Sequence, residues 1–397
     1  MTQTRRKYIA PILGTIGALG PLAIDMYLPA MPQIAAELHV GAGEIQFSLM
    51  SFFSGLMTGQ LFYGPVSDRT GRKPMIYTGL IIFIIASMGC ALAGNAAQLV
   101  AWRFAQGIGG SIGMVIGLAI VRDLFKGREA AKLVALIMIV TGVAPIIAPL
   151  LGTTILAAAD WPALFIALAI YGLLGLVLAA TLLPETRSEE FRLASHPLAA
   201  IHQYVRLLCS RNYISYAAVQ ALIQAGFFSY LAGSSFIFIS LYGMSPTGFS
   251  FIFAVNAIGM VGGSQLSPRM LRWFSSENII RAALIINIIT AATLLWLEKE
   301  GYLTLPVMSA GLFLLIFTMA VVMPVNGMMA LDAYEKMSGT AAALMGAMQF
   351  GAGALASFII GAMADGTAKP MLLSITICGC VACLIACFSF PGRRVKA

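Results

Sequence analysis

Apolar residues fall in long runs, at about 8–30, 45–67, 74–94, 98–122, 131–158, 161–184, 212–242, 248–268, 278–298, 303–330, 339–364 and 370–390, each closed by a short polar cluster. A helix that crosses a bilayer needs ~20 such residues. Irregular backbone cannot face lipid. Each run therefore predicts a spanning helix, twelve in all. Outer-membrane strands would be alternating segments of ~10 residues instead. Several runs are longer than a bilayer needs, which predicts tilt or protrusion. One hydrophilic stretch, 185–211, divides the chain into a six-helix half at 1–184 and another at 212–397. Within it Pro197, Leu198, Ile201, Val205 and Leu208 have the spacing of a short amphipathic helix lying on a membrane surface.

Composition agrees with this pattern. Only 10% of the 397 residues are charged and 59% are hydrophobic, against roughly 25% charged in a soluble domain. A soluble enzyme could not cover its surface and a disordered chain would not be so apolar, so both are excluded. The net charge of +8 would suggest nucleic acid on a soluble chain. Here it reports topology. With the N-terminus inside, 21 of the 24 Lys and Arg fall in segments on that side, Lys299 and Lys369 fall outside, and Arg103 lies in a run. Such a split predicts that both termini and the linker are cytoplasmic. Arg5-Arg6-Lys7 before the first run could open a signal peptide, but the run is too long and is read as the first helix. Five of the six cysteines sit in apolar runs and Cys209 in a basic loop, so no disulfide framework is expected. No His or acid accompanies them, and no metal site or cofactor is expected.

The densest motif is Gly64-Pro-Val-Ser-Asp68-Arg69-Thr-Gly71-Arg72-Lys73, after the second run. A positive-inside loop explains its bases but neither Asp68 nor its glycines. Gly71 permits a tight reversal, Asp68 can accept from a helix N-terminus, and Arg72 can reach an acid such as Asp123. The segment resembles the Gly-x-x-x-Asp-Arg-x-Gly-Arg-Arg/Lys signature of the major facilitator superfamily. That resemblance implies two pseudo-symmetric six-helix bundles and a latch on the cytoplasmic side. In it Asp68 faces the eleventh helix and a motif base pairs with Asp123. The matching loop in the second half, Gly263 to Arg269, lacks the Asp.

Asp25 is the acid placed inside the membrane and Arg103 the base. An isolated charge at the bilayer centre costs at least ~2.5–3.5 kcal/mol, so such groups are usually paired and functional. Counted from the run ends at ~1.5 Å per residue, both lie ~8 Å inside the same boundary. They are expected to pair, either as a proton-coupling site or as a structural ion pair. Asp25-Met-Tyr-Leu-Pro29-Ala-Met-Pro32 resembles the first helix of the Bcr/CflA drug-resistance branch. Arg103-Phe-Ala-Gln106-Gly107-Ile-Gly109 resembles the superfamily's fourth-helix motif. Gly142, Pro145, Pro149 and Gly152 resemble the antiporter motif of drug exporters, with Thr153 where a second glycine is usual.

In that family the first, fourth, seventh and tenth helices line a central cavity. Sequence spacing puts Gln106 and Met114 on one face of the fourth run, Gln220, Gln224 and Phe227 on one face of the seventh, and Met323 and Asn326 on one face of the tenth. A wall of Met, Phe and amides suits varied apolar ligands. Stripes such as Ser51/Gly55/Gly59, Gly109/Gly113/Gly117 and Gly259/Gly263 predict close helix approach. The resemblance implies a monomeric, proton-driven exporter of small drugs in the bacterial inner membrane. The same fold carrying a physiological metabolite, such as an amino acid or nucleoside, is the alternative. An intramembrane enzyme would need several embedded polar catalytic groups, and no P-loop dipeptide for ATP is present.

Overall fold

The computed structural model describes residues 3–187, 189, 197–334 and 337–390. Part of the expected linker (190–196) and the bases Lys336, Arg393, Arg394 and Lys396 lie outside the described residues. Among the described residues all regular structure is helical. The order is α1 (Gln3–Gly17), α2 (Leu19–Asp25), a 3-10 turn (Leu28–Ala30), α3 (Met31–Glu37), α4 (Ala42–Thr70), α5 (Arg72–Ala91), α6 (Ala96–Gly110), α7 (Ile112–Leu124), α8 (Gly127–Ala158) and α9 (Pro162–Leu182). The amphipathic helix α10 (Pro197–Leu208) precedes α11 (Arg211–Ser235), α12 (Pro246–Met270), α13 (Ser276–Lys299), α14 (Leu305–Asp332), α15 (Ser338–Ala362) and α16 (Lys369–Ser389).

Three predicted spans are interrupted. The first runs on to Glu37 as α1, α2, the 3-10 turn and α3. Pro29 and Pro32 have no N–H to donate, so the ladder breaks just after Asp25. The fourth bends at Ser111, between α6 and α7, and α11 continues as a π-helical turn, Phe236–Leu241. Counting each broken span once, eleven helices among the described residues are long and apolar enough to cross a membrane. The remaining long helix, α4, is less apolar because it carries Gln46, Ser48, Ser51 and Gln60. All four are buried, so protein and not lipid receives them. With α4 the long helical spans among the described residues number twelve, a count consistent with the twelve apolar runs.

The chain packs as two compact units, one of Met1–Val40 with Ser51–Tyr204, the other of Gly41–Met50 with Val205–Ala397. In the first, α6 and α7 are hemmed in through glycine. A Cβ on Gly55 would strike the Phe104 carbonyl, and one on Gly107 the Phe52 carbonyl, so α4 and α6 cross backbone to backbone. Gly109 meets the Phe83 amide on α5 and Gly113 the Ile16 carbonyl on α1. Ser51 Oγ donates to the Val100 carbonyl at 2.6 Å along the same crossing. Such small faces give the close approach that drives helix association in lipid. Because backbone cannot yield as a flexible side chain does, Gly107→Val is expected to cost about 1–3 kcal/mol and to lower the thermal midpoint of purified protein markedly. Gly117, whose added Cβ would meet nothing within 4 Å, is the control, and Gly117→Ala should leave the midpoint near wild type. Equal effects would remove the crossing as the cause.

In the second unit α11 packs on α14, α15 and α16. The Phe228 ring fills the space over Gly353, and Tyr213 Oη donates to the Ala341 carbonyl at 2.6 Å. Asn287 Nδ2 donates to Thr318 Oγ1 and the Leu315 carbonyl at 2.9 and 3.1 Å, joining α13 to α14. Gln46, at the start of α4, donates to the Ala232 carbonyl at 3.1 Å. On α10, Leu207 is buried while Ile201, Val205 and Leu208 are exposed, an apolar face at helical spacing.

Candidate functional site

The break after α2 leaves Asp25 at a helix end, 5% exposed. No hydrogen bond or ion pair with a described residue reaches its carboxyl. Arg103, on α6, is wholly buried. Its Nη1 donates to the Ala23 carbonyl at 3.0 Å and to Gln106 Oε1 at 2.7 Å. Arg103 thus reaches the backbone two residues before Asp25, but among the described residues the expected ion pair is not formed. Aromatic rings surround the guanidinium instead. Its carbon lies 4.2 Å from the Phe52 ring centre, 4.6 Å from Tyr27 and 5.9 Å from Phe165. Nε and Nη2 have no acceptor among the described residues.

Gln106 is fully buried and has both ends of its amide engaged. Its Oε1 accepts from Arg103 Nη1 and its Nε2 donates to Ser87 Oγ at 2.8 Å. Met114 is half-buried, with its Cε near Gly20 and its Sδ near Gln60 Nε2. On α8, Pro149 and Gly152 are buried while Gly142 and Pro145 are half-buried. A Cβ on Gly152 would come within 2.5 Å of the Met26 carbonyl. The glycine therefore lets α8 pack on the residue that follows Asp25. In the second unit Asn326 is fully buried, and its Nδ2 donates to Gln220 Oε1 and to the Tyr216 carbonyl, both at 2.9 Å. Its Oδ1 has no donor among the described residues. Gln224, Phe227 and Met323 are half-buried nearby on the same two helices.

The segment 64–73 builds a second cluster around Arg72. Its side chain is 6% exposed. Nη2 contacts Asp68 Oδ1 at 2.7 Å, Nε contacts Asp123 Oδ2 at 3.0 Å, and Nη1 donates to Ser67 Oγ at 2.6 Å. One planar fork thus ties the end of α4 to the end of α7. Gly71 takes φ +104°, the turn that lets α5 start directly after α4. Arg69 is exposed, and Lys73 Nζ donates to the Ala180 carbonyl at 3.1 Å. Asp68 also lies 3.8 Å from Arg187 Nη2.

Sequence reasoning missed Glu185. Its Oε1 accepts from the Arg72 amide at 3.0 Å and its Oε2 from the Lys73 amide at 3.1 Å, capping the N-terminus of α5. The Thr186 and Arg187 amides donate to it as well, both at 2.9 Å. A carboxylate is the group that orphan amides at a helix start attract. The one available signal was an acid directly after Pro184 in a chain with few acids. Partial burial would raise its pKa, but the four amide bonds outweigh that and hold it below the ordinary 4.5. A lowered carboxyl pKa contributes stability above the unfolded value and loses it as pH falls through the folded one. Glu185→Gln is therefore expected to lower the thermal midpoint at pH 7. The deficit should shrink as the pH drops below about 4.5. A deficit independent of pH would remove the charge from the explanation.

A membrane-spanning, all-helical chain with a buried acid and base and a charged turn between its second and third long helices has the form of a secondary transporter. Residues 13–357 match the Major Facilitator Superfamily. The chain belongs to this superfamily and is a multi-pass membrane transporter, not an enzyme. It is 36% identical over 373 residues to the "Uncharacterized MFS-type transporter YdgK" of Bacillus subtilis (strain 168), covering 93% of this chain and 92% of that one. It is 29% identical, over the full length of both chains, to the "Bicyclomycin resistance protein homolog" of Haemophilus influenzae. It is 29% identical to "Multidrug resistance protein MdtL" of Escherichia coli O9:H4 (strain HS), with 96% and 95% of the two chains covered. The crystal structure of a D-xylose-proton symporter shares the fold, with TM-score 0.78 and 17% identity over 98% of each chain.

Proposed function

We propose that this transporter exports small drugs across the bacterial inner membrane in exchange for protons, by alternating access. The observation that carries the reading is the buried carboxyl of Asp25, which has no ion-pair partner among the described residues. An ionisable side chain kept inside a membrane span despite the cost of burying it is the kind of group that proton relays use. The names of the relatives from Haemophilus influenzae and Escherichia coli supply the cargo class. Gly142, Pro145, Pro149 and Gly152, on the helix packed beside Asp25, suit an antiporter. Each unit would offer drugs contacts of its own, Met114 in the first and Gln220, Gln224, Phe227, Met323 and Asn326 in the second. Gln106 would act through Arg103. Gly64, Asp68, Arg69, Gly71, Arg72, Lys73 and Asp123 would form the cytoplasmic gate. The protein would work as a monomer, with drug, protons and the bilayer as its partners.

The test is drug movement in proteoliposomes under an imposed pH gradient, paired with the resistance profile of a pump-deleted host expressing the chain. Gradient-driven drug accumulation and raised resistance are expected. Transport of an amino acid or nucleoside, with no drug phenotype, would favour the metabolite reading. The orientation rests on the bases, 21 of which would be cytoplasmic. In a cysteine-free background, an impermeant thiol reagent added to intact cells should label Glu300→Cys and miss Ala200→Cys. Labelling at 200 would overturn the map.

A further inference from the structure

A buried cation is normally balanced by a buried anion, because an isolated charge in a low-dielectric interior is strongly disfavoured. Arg103 has no exposure. Among the described residues no carboxylate pairs with it and two of its nitrogens lack acceptors. Three rings face it, at 4.2, 4.6 and 5.9 Å, within the ~6 Å over which the negative face of a ring attracts a cation. We propose that Phe52, Tyr27 and Phe165 stand in for a counterion and are positioning residues for Arg103. They hold the base charged against the Ala23 carbonyl, on the span of Asp25, without drawing on the Asp25 carboxylate. The coupling half of the proposal rests on the proton-exchange reading above.

The rings are placed with some care. Phe52 lies on the helix crossing that Gly55 and Gly107 make possible, so backbone contact between α4 and α6 sets its distance from Arg103. Tyr27 stands two residues after Asp25, past the helix break, between α2 and the 3-10 turn. Its ring tilts against Phe165 at 5.8 Å, and Phe165 meets Trp161 edge-on at 6.0 Å. Trp161 Nε1 donates to Glu37 Oε2 at 2.8 Å, which anchors the far end of the row on α3. The titratable groups that act on the guanidinium are Tyr27 on the first span and Cys90 on α5, and Asp25 precedes Tyr27 by two residues. The helices α4 and α9 face it with Phe52 and Phe165.

If the rings act electrostatically, weakening a ring frees Arg103 to swing onto the Asp25 carboxylate. A guanidinium beside a carboxylate lowers its proton affinity, so the pH midpoint of efflux should move to lower pH. The experiment replaces Phe52 with mono-, di- and trifluorinated phenylalanine, which keep the ring's shape and progressively cancel its negative face. The midpoint of gradient-driven efflux is expected to move stepwise to lower pH, by about three- to tenfold in proton affinity for the trifluoro ring. The thermal midpoint of the purified protein is read in parallel. It should fall along the fluorine series in wild type and stay level along the same series in an Arg103→Met background. Equal stability trends in both backgrounds, or a flat series in wild type, would overturn the cation–ring contact. A falling stability series with an unmoved efflux midpoint would overturn the positioning role. If wild type shows no gradient-driven efflux, the proton-exchange reading fails and the coupling half with it. The stability series still decides the contact.

Discussion

Asp25→Asn is expected to abolish drug efflux driven by a pH gradient while leaving downhill drug exchange in place. The substitution keeps size and hydrogen-bonding capacity and removes one property, the ability to gain and lose a proton. Asp25 is 5% exposed and has no charged partner among the described residues, so no ion pair with them is lost. Charging such a carboxyl inside a bilayer costs at least ~2.5–3.5 kcal/mol, and the amide escapes that cost. The variant should therefore melt no lower than wild type, and its failure to pump could not be assigned to misfolding. Asp25→Glu, which keeps the titratable group one methylene further out, should retain part of the activity. The decisive readout is proton release on drug binding to detergent-solubilised protein, present in wild type and absent in Asp25→Asn. Undiminished release would place the carrier elsewhere.

Arg72→Ala is expected to be the most damaging change in the segment 64–73. Arg72 is the shared partner of Asp68, Asp123 and Ser67. Removing it leaves Asp123, 16% exposed, with the Thr186 hydroxyl at 3.2 Å and no ion-pair partner among the described residues, and leaves Asp68 with Arg187 at 3.8 Å. Breaking a buried pair from one side costs ~3–5 kcal/mol, and the 40% exposure of Asp68 puts this case at or below the lower end. Transport should fall to the level of empty vesicles. Arg72→Lys should recover only part, since a point charge cannot span three acceptors as the planar fork does. Adding Asp123→Asn to Arg72→Ala should restore much of the thermal midpoint and none of the transport. Restored transport in the double variant would show that charge balance alone, and not the tie between α4 and α7, is what the cluster supplies.

The spans were legible because lipid imposes a composition on any segment that faces it, and twelve runs carry that mark. Their breaks were less so. The proline pair at 29 and 32 was visible, yet whether a span stops there or bends and continues depends on what packs beside it. The clamp from Arg72 to Asp123 could be anticipated because dense charge in a short turn needs partners. Glu185 could not, since an acid far along the chain gives no sign of which helix start it will cap. The partner of Arg103 was misjudged for a related reason. Charge arithmetic nominates the nearest embedded acid, whereas the interior answers with the faces of Phe52, Tyr27 and Phe165. These are ordinary apolar residues in sequence, and only the fold brings them to one point. Gln106 shows the same limit: helical spacing put it beside Met114, and its amide is spent within the protein on Arg103 and Ser87.

The polar residues of α4 bear on how the chain is made. A segment leaving the ribosome partitions into the bilayer by its own hydrophobicity, and α4 carries buried glutamines and serines that lipid cannot satisfy. Ser51 finds its acceptor at Val100, two spans later in synthesis. Gln46 finds its acceptor at Ala232, 186 residues downstream. The insertion machinery must therefore shelter α4, or hold it loosely at the interface, until the seventh long helix has emerged. During that interval the nascent first half is exposed to quality-control proteases.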